Sequence, residues 1–408
     1  MYVAHLLIFL FLLFYYFFFS TNVCARGLRF GDTIGTKRAL CNVVPPSMVG
    51  VFSDVDEGDG SPIEVASHFF TGVNDPRVGT MDFSLDGQYF ISSHADDALR
   101  LVDVFTMRHN ETIQLEAFGV HCARFTQSSD VVCVAPRYSS DGHLYLLSLT
   151  SAQLFAAMAF VSDDVTELRA VSNTPVYSTI SQCPQSDVIA SVFSTQGRLL
   201  LFHPLISGAI AASGERTVMG NKATVSFSPD GTKLVVGDDC RVRVFDYRKM
   251  FSSPLASLDN KSIFTESGAA SRCKGAEVAA DGSHLLLTSF GGEAVVYALQ
   301  LGLVSCSYFH NVARRHFIGA GDAVGAKFMF PNVAGSIVVQ LSTYMNAGRH
   351  LLVYDGYDGH FSGSCRRGAL KYELQCKDSD VPVALSVNSK YALLATAARG
   401  VTWWSFNL

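Results

Sequence analysis

The sequence predicts an all-β fold, a seven-bladed β-propeller, and three observations carry that expectation: a three-strand unit, its recurrence, and the spacing of its copies. The unit is clearest at residues 224–248, TVSFSPDGTKLVVGDDCRVRVFDYR. Residues 224–228 are β-branched and aromatic, and Pro229-Asp230-Gly231 is a turn in which Pro presets φ and Gly tolerates φ > 0. Residues 233–236 form a second apolar run. Asp238-Asp239 turns the chain again, and residues 241–246 alternate polar and apolar at the period of a half-buried strand. One such unit cannot bury its own apolar faces, so it needs neighbours.

It has them. Residues 81–104, MDFSLDGQYFISSHADDALRLVDV, carry the same pattern, with Asp86-Gly87 and Asp96-Asp97 at the two turns. Residues 275–299 repeat it around Asp281-Gly282, and residues 383–406 around Asn388-Ser389, ending on Trp403-Trp404. Three degenerate copies close on residues 144–149, 199–202 and 350–354. Taking Phe83, Phe125, Gln182, Phe227, Val278, Phe328 and Val387 as equivalent points, the steps are 42, 57, 45, 51, 50 and 59 residues. These slightly overrun the roughly 40–45 residues of a four-stranded blade, and the excess falls in loops. Radial repetition removes the exposed edges that so many short strands would otherwise leave. Residues 61–408 are therefore expected to be one propeller domain.

The last copy reaches residue 408 two residues beyond its third strand, and residues 63–70 read as a strand with no blade of its own. Residues 64–70 are expected to supply the missing fourth strand and close the ring. Truncation past about Ile63 would then destabilise the domain, and starting at Met48 would cost nothing.

Residues 1–60 read as a leader followed by an acidic arm. Residues 6–19 are an unbroken apolar run, short for a membrane span and within the range of a secretory signal, with Val23-Cys24-Ala25 as a cleavage neighbourhood. The segment before the run carries no Lys or Arg. The run is rich in Phe, Leu and Tyr, whose codons are pyrimidine-rich. Two readings stand: a genuine signal or anchor, or an untranslated leader read as protein, with Met48 as the alternative start. Residues 53–64, SDVDEGDGSPIE, lack apolar periodicity and suit a disordered arm. The acidic spacing fails as a calcium loop, because Val65 stands at the twelfth position from Asp54.

The eight cysteines after Met48 are scattered with no Cys-x-x-Cys pair, which favours reduced, mostly buried thiols and a cytosolic or nuclear compartment. Sequons at Asn110 and Asn260 matter only in a secreted chain. Composition is 49% hydrophobic and 16% charged, with a net charge of -5. That balance gives no reason to expect sequence-specific nucleic-acid binding. Membrane contact is expected only if the apolar leader is real.

Residues 118–127, FGVHCARFTQ, with Val131-Val132-Cys133-Val134 and residues 142–149, GHLYLLSL, resemble one branch of the WD-repeat family. That branch is the small propeller subunit shared by COMPASS-type histone lysine methyltransferases and, in many eukaryotes, by PNUTS-phosphatase or cleavage-and-polyadenylation termination assemblies. The resemblance runs in order from Val65 to Phe406, through residues 65–69, the Phe83 copy, residues 180–184, and residues 388–391 with Trp403-Trp404. Val102-Asp103 and Phe245-Asp246 stand where the family's Trp-Asp would be. The loops after Ser213, Asp259, Cys306 and Thr343 are longer than the family pattern requires. The resemblance implies a non-enzymatic nuclear scaffold that ties a SET-domain methyltransferase, or a phosphatase with its regulatory subunit, to transcribing polymerase and its phosphorylated tail.

No residue pattern argues for catalysis or a cofactor. Residues 319–325, GAGDAVG, are one residue too long for a dinucleotide fingerprint. Asp96-Asp97 and Asp238-Asp239 occupy turns entering third strands, where Asp bonds local amides, so Asp97 and Asp239 are read as structural turn residues. Arg314-Arg315 and Arg366-Arg367 are the most basic runs and could anchor acidic partner segments through charge-assisted bonds. Phe118, His121 and Arg124 lie where the resemblance is densest, and are the candidate partner contacts. The alternative class is a secreted or membrane-anchored binding propeller; a propeller hydrolase would need convergent carboxylates or histidines in the channel.

Overall fold

The computed structural model describes residues 62–69, 78–138, 143–159, 177–193, 197–206, 209–212, 223–249, 253–265, 267, 271–279, 281–308, 325–329, 338–344, 348–354, 366–375, 384–388, 390–391, 393–397 and 400–406. The apolar leader, the acidic arm before Pro62, Arg314-Arg315 and residues 319–324 lie outside them. The described residues form an all-β propeller with few helical residues.

Strand β1 (Pro62–Phe69) precedes six blades built from strands that follow one another in sequence. The first blade is β2 (Val78–Phe83), β3 (Tyr89–His94), β4 (Ala98–Asp103) and β5 (Arg108–Gln114). The second is β6 (Cys122–Phe125), β7 (Val131–Ala135), β8 (His143–Ser148) and β9 (Gln153–Ala159), and the third β10 (Tyr177–Gln182), β11 (Ile189–Phe193), β12 (Arg198–Phe202) and β13 (Ala209–Ala212). The fourth is β14 (Thr224–Phe227), β15 (Lys233–Gly237), β16 (Arg241–Asp246) and β17 (Ala256–Asp259), and the fifth β18 (Cys273–Val278), β19 (His284–Ser289), β20 (Ala294–Ala298) and β21 (Leu303–Tyr308). The sixth is β22 (Ala326–Phe328), β23 (Val338–Tyr344), β24 (Gly348–Tyr354) and β26 (Leu370–Gln375), while the short β25 (Arg366–Arg367) joins β21 as a fifth strand of the fifth blade. A further sheet contains β27 (Ala384–Val387), β28 (Leu393–Ala397) and β29 (Gly400–Phe406), and here β1 pairs antiparallel with β29, from Pro62 opposite Phe406 to Phe69 opposite Gly400.

Side chains of one inner strand accept backbone N–H groups from the next, which sets the blades side by side. Asp82 accepts from Phe125 at 2.9 Å, Ser181 from Phe227 at 3.1 Å and Glu277 from Phe328 at 3.1 Å. Thr80 and Thr179 do the same for Ala123 and Val225 at 3.2 and 3.1 Å. The pairs Thr80–Ala123 and Asp82–Phe125 advance together, so these inner strands run the same way. The loops between second and third strands, and those leading from one blade to the next, consequently share one face of the disc. Inner-strand neighbours are β2 with β6, β6 with β10, β10 with β14, β14 with β18, β18 with β22, β22 with β27, and β27 with β2.

The three strands read in each copy differ from the fourth in a way the ladders explain. Second and third strands are largely buried, and all residues of β11, β20 and β28 are, because sheets of neighbouring blades cover both sides. Outer strands are exposed and irregular. In β5, Asn110 is left over between Glu111 and His109, which face Leu101 and Val102. The same one-residue bulge falls at Phe155, Ile210, Ser305 and Lys371 near the start of β9, β13, β21 and β26. Val65 of β1 takes the equivalent place, between Glu64 and Ala66 opposite Trp404 and Trp403. A bulge bends the edge and interrupts alternation.

Trp403 is fully buried and meets Phe90 and Phe83 edge-on, with ring centroids 4.5 and 5.8 Å apart, so it joins the β27–β29 sheet to the first blade. Its Nε1 has no hydrogen-bond partner, whereas Trp404 donates to Thr396 Oγ1 at 3.0 Å. Trp403→Ala is therefore expected to cost about 3–5 kcal/mol through the cavity alone. Trp403→Phe, which forfeits no hydrogen bond, should cost about 1 kcal/mol. Thermal or urea unfolding of the two variants measures the difference.

The tight turns between first and second strands are held by carboxylates. Asp86 accepts the Ser84 hydroxyl and the Gln88 amide, Asp230 the Ser228 and Thr232 hydroxyls, and Asp281 the Ser283 amide and the His284 ring. Partial burial pushes each carboxyl up, but these bonds outweigh it and hold all three below the usual Asp value. A folded value below the unfolded one of about 3.9 gives stabilisation that is complete above that pH and lost as pH falls through the folded value. Asp82 and Glu293, raised by burial, act in the opposite sense. The melting temperature is expected to drop below about pH 4, and Asp230→Asn should flatten part of that slope in a pH series of thermal melts.

Candidate functional site

On the face that carries the inter-blade loops, three loops of the first two blades meet. Leu115, at the end of β5, donates to Asp97 O at 3.0 Å, and its own carbonyl accepts the amides of Phe118 and Gly119 at 3.3 and 2.8 Å. Gly119 sits at φ +64°, and a Cβ there would come within 2.7 Å of the Tyr138 ring, so glycine is required. Asp97 sits at φ +61°, a conformation Asp tolerates better than most residues.

Arg137 ties the loops together. Its Nη1 donates to Ala95 O at 2.9 Å and Asp97 Oδ1 at 2.8 Å, and its Nη2 to His94 O at 3.0 Å and Val120 O at 2.8 Å. The backbone amides of Arg137 and Tyr138 both donate to Phe118 O, at 3.0 and 2.9 Å. The planar guanidinium suits this fork of acceptors. Beneath the loops, Ser92 Oγ and His94 Nε2 lie 2.8 Å apart in the buried end of β3. Burial pushes Asp96 up, but Arg100 outweighs it through two hydrogen bonds and its charge, and holds the carboxyl below its usual value.

The result is a row of rings at the seam of the two blades. Tyr138 is 63% exposed and lies over Gly119, with the Arg137 guanidinium 5.7 Å from its ring centre. Phe118 stacks on Tyr145 at 4.6 Å and 20°, and His143 stacks on the same Tyr145 at 6.1 Å. Phe118, His121, His143 and Tyr145 are half-buried. Stacked rings of fixed orientation, with one freely exposed Tyr, offer contact area at low conformational cost.

Of the residues singled out from sequence, Phe118 and His121 share this loop, and His121 donates its amide to Ala135 O at 2.9 Å. Arg124 lies elsewhere: its Nη1 donates to Met81 O and pairs with Asp82 at 3.3 Å across the inner seam of the first two blades. Burial works against its charge, yet Asp82 more than restores it. Arg367 is exposed in β25 on the outer edge of the fifth blade, and Arg366 pairs there by backbone. Arg314 and Arg315 lie outside the described residues.

The two acidic pairs are not equivalents. Tyr89 and Lys233 open β3 and β15 opposite Asp103 and Asp246, so counting five residues on from each puts Asp238 where His94 stands, not where Asp96 stands. It is Asp238, fully buried, whose Oδ1 accepts the Cys240 and Arg241 amides at 2.7 Å each. Asp239 Oδ1 has no hydrogen-bond partner, so the backbone-bonding role expected of Asp239 falls on its neighbour. Asp97 serves the turn through its backbone conformation and its bond to Arg137.

Sequence reading missed Arg137, Tyr138 and Tyr145. The available signal was positional: Arg137-Tyr138 follow β7 as Ala95 and Asp96 follow β3, at the loop that precedes a third strand.

Residues 216–246 match the WD domain, G-beta repeat model, a span that contains β14, β15 and β16 entire. Together with the strand arrangement, this makes the chain a propeller that carries a WD-type repeat. Among the described residues no group of three or more His, Cys, Asp or Glu is placed to hold a metal ion, and no helix is long and apolar enough to cross a membrane. Cys122, Cys133, Cys183 and Cys273 are buried and free, Cys306 is buried, and Cys240 is free and exposed. Burial pushes the Cys273 thiol up to about 12.

Proposed function

We propose that the protein is a non-enzymatic scaffold of seven blades, its ring closed by β1, that binds partner proteins through the loop face around Phe118, Tyr138 and Tyr145. The ring reading rests on the sequence of inner-strand neighbours and on the bulge at Val65, which gives β1 the form of an outer strand. The observation that carries the binding reading is the ring row itself, with an exposed Tyr138 positioned by four hydrogen bonds from its neighbour Arg137. Tyr and Arg are the residues that dominate protein interfaces when so placed. The sequence resemblance supplies the setting: a nuclear chromatin or transcription assembly containing a SET-domain methyltransferase, or a phosphatase with its regulatory subunit.

Affinity purification of the chain tagged at its C-terminus, followed by mass spectrometry, tests this reading. One of those two partner sets is expected, and its recovery should fall at least about tenfold, or 1.4 kcal/mol, in a Phe118→Ala/Tyr138→Ala variant that still melts like the parent. Recovery of secretory-pathway proteins, with a glycan on Asn110, would overturn the nuclear setting. Asn260 is no use as a reporter, since it is 1% exposed and its Nδ2 donates to Asp238 O at 2.7 Å.

A further inference from the structure

Among the described residues, the outer strand of every blade but the fifth ends its sheet, and such an edge is a template for any extended chain. Most of these edges are blunted by composition or length. β5 reads RHNETIQ and β26 reads LKYELQ, both with charges, and β13 and β17 are only four residues long. The uncharged edge of β21, LVSCSY, is covered by the chain itself. There β25 pairs in parallel, Arg366 with Cys306 and Arg367 with Ser307, and Gly368 donates to Ser307 O at 2.9 Å. Gly368 lies so close to the Tyr308 ring that a Cβ would come within 2.1 Å of it, so this covering segment is built to fit.

β9 reads QLFAAMA over seven residues. It carries no charge and no proline, ends its sheet, and exposes Phe155 at 58% with Leu154 and Ala157 beside it. Its register on β8 matches that of β21 on β20. The bulges Phe155 and Ser305 correspond, as do Ala156 facing Leu146 and Cys306 facing Val296. Ala157 is thus the counterpart of Ser307, whose carbonyl points outward to the added strand.

We infer that β9 is a second binding site, which takes an extended, uncharged peptide segment of a partner protein as an added strand at Ala156–Ala157. The segment's apolar side chains rest on Leu154 and Phe155. The chain's own use of the matching edge of β21 shows that the outer edge of a blade here accepts such a strand. The edge is about 23 Å long at 3.3 Å per residue, and buries well under the roughly 800 Å² per partner of a stable globular pair. That size fits a linear peptide and not a second folded copy. The charge-free surface selects an uncharged one, with main-chain bonds giving affinity and alternate side chains specificity. The site adjoins the ring row, since Ala157 lies opposite Tyr145 of β8, and the variants below tell the two apart.

The test is selection of a random heptapeptide display library on the full chain, with binding of the enriched synthetic peptides measured by fluorescence anisotropy. Uncharged peptides with alternating apolar residues are expected, along with slowed hydrogen exchange at Ala157. Ala157→Pro removes the outward N–H and Phe155→Lys places a charge on the edge. Each should weaken binding at least tenfold, and Phe155→Lys leaves the outward N–H in place should the proline variant misfold. Failure to enrich any peptide, peptides whose binding ignores both variants, or peptides lost only on Phe118→Ala/Tyr138→Ala would overturn the proposal. So would a concentration-dependent dimer in sedimentation that Phe155→Lys abolishes, since the occupant would then be a second copy.

Discussion

A chain that begins at residue 71 is expected to melt at least about 10 °C below the full chain, or to aggregate. Such a chain lacks β1, and β29 becomes an unpaired edge along its whole length, from Gly400 to Phe406. Each lost backbone bond is worth about 1 kcal/mol net, and the stripped edge lies beside Trp403, the ring that joins this sheet to the first blade. A chain that begins at Met48 retains β1 and should melt with the parent. Scanning calorimetry with size-exclusion chromatography compares the three. Addition of a synthetic peptide of residues 58–71 should restore part of the loss, because β1 acts through pairing and not through continuity of the chain. Equal melting of the chain that begins at residue 71 would sink ring closure by β1.

Arg137→Ala is expected to cost about 2–4 kcal/mol, since it removes one guanidinium donor from the carbonyls of His94, Ala95 and Val120 and from the Asp97 carboxylate. The larger effect falls on the site. Without Arg137, the His94–Asp97 loop loses the guanidinium that joins it to Val120 and keeps the Leu115 amide bond to Asp97 O, while Tyr138 loses the neighbour that sets its ring over Gly119. Partner recovery should drop at least as far as in the Phe118→Ala/Tyr138→Ala variant. Arg137→Lys should rescue little, because an ammonium is a point charge with no fork. Hydrogen exchange at the Leu115 and Gly119 amides distinguishes loop loosening from loss of contact alone. If both stay slow in Arg137→Ala while partner recovery falls, the residue contacts the partner directly.

The legible parts of the chain were those where a local rule and the tertiary environment agree. β14, β15 and β16 were read within a residue, because Pro229, Asp230 and Gly231 fix the turn, β15 is apolar and buried after its first residue, and β16 alternates polar and apolar. β1 was expected at residues 64–70 and spans Pro62–Phe69, a small shift at a strand with no sequence neighbour to mark its start. The fourth strands were not legible. They lie on the rim with one edge in solvent, so β5 needs no apolar alternation, and the bulges at Asn110, Phe155 and Ser305 break whatever period remains.

The candidate site divides along the same line. By itself the sequence determined the repeating three-strand unit, the all-β propeller class and the neighbourhood of Phe118 and His121, because these follow from turn chemistry, alternation and order along one chain. Only the tertiary structure decided that Arg137 and Tyr138 belong with Phe118, that Arg124 serves an inner seam with Asp82, and that Asp238 and not Asp239 holds its turn. It also decided that β25 covers the edge of β21 and that, among the described residues, no strand pairs with the outer edge of β9. Those outcomes depend on which loops and edges the circular order brings together, and no local pattern encodes a contact between loops from different blades.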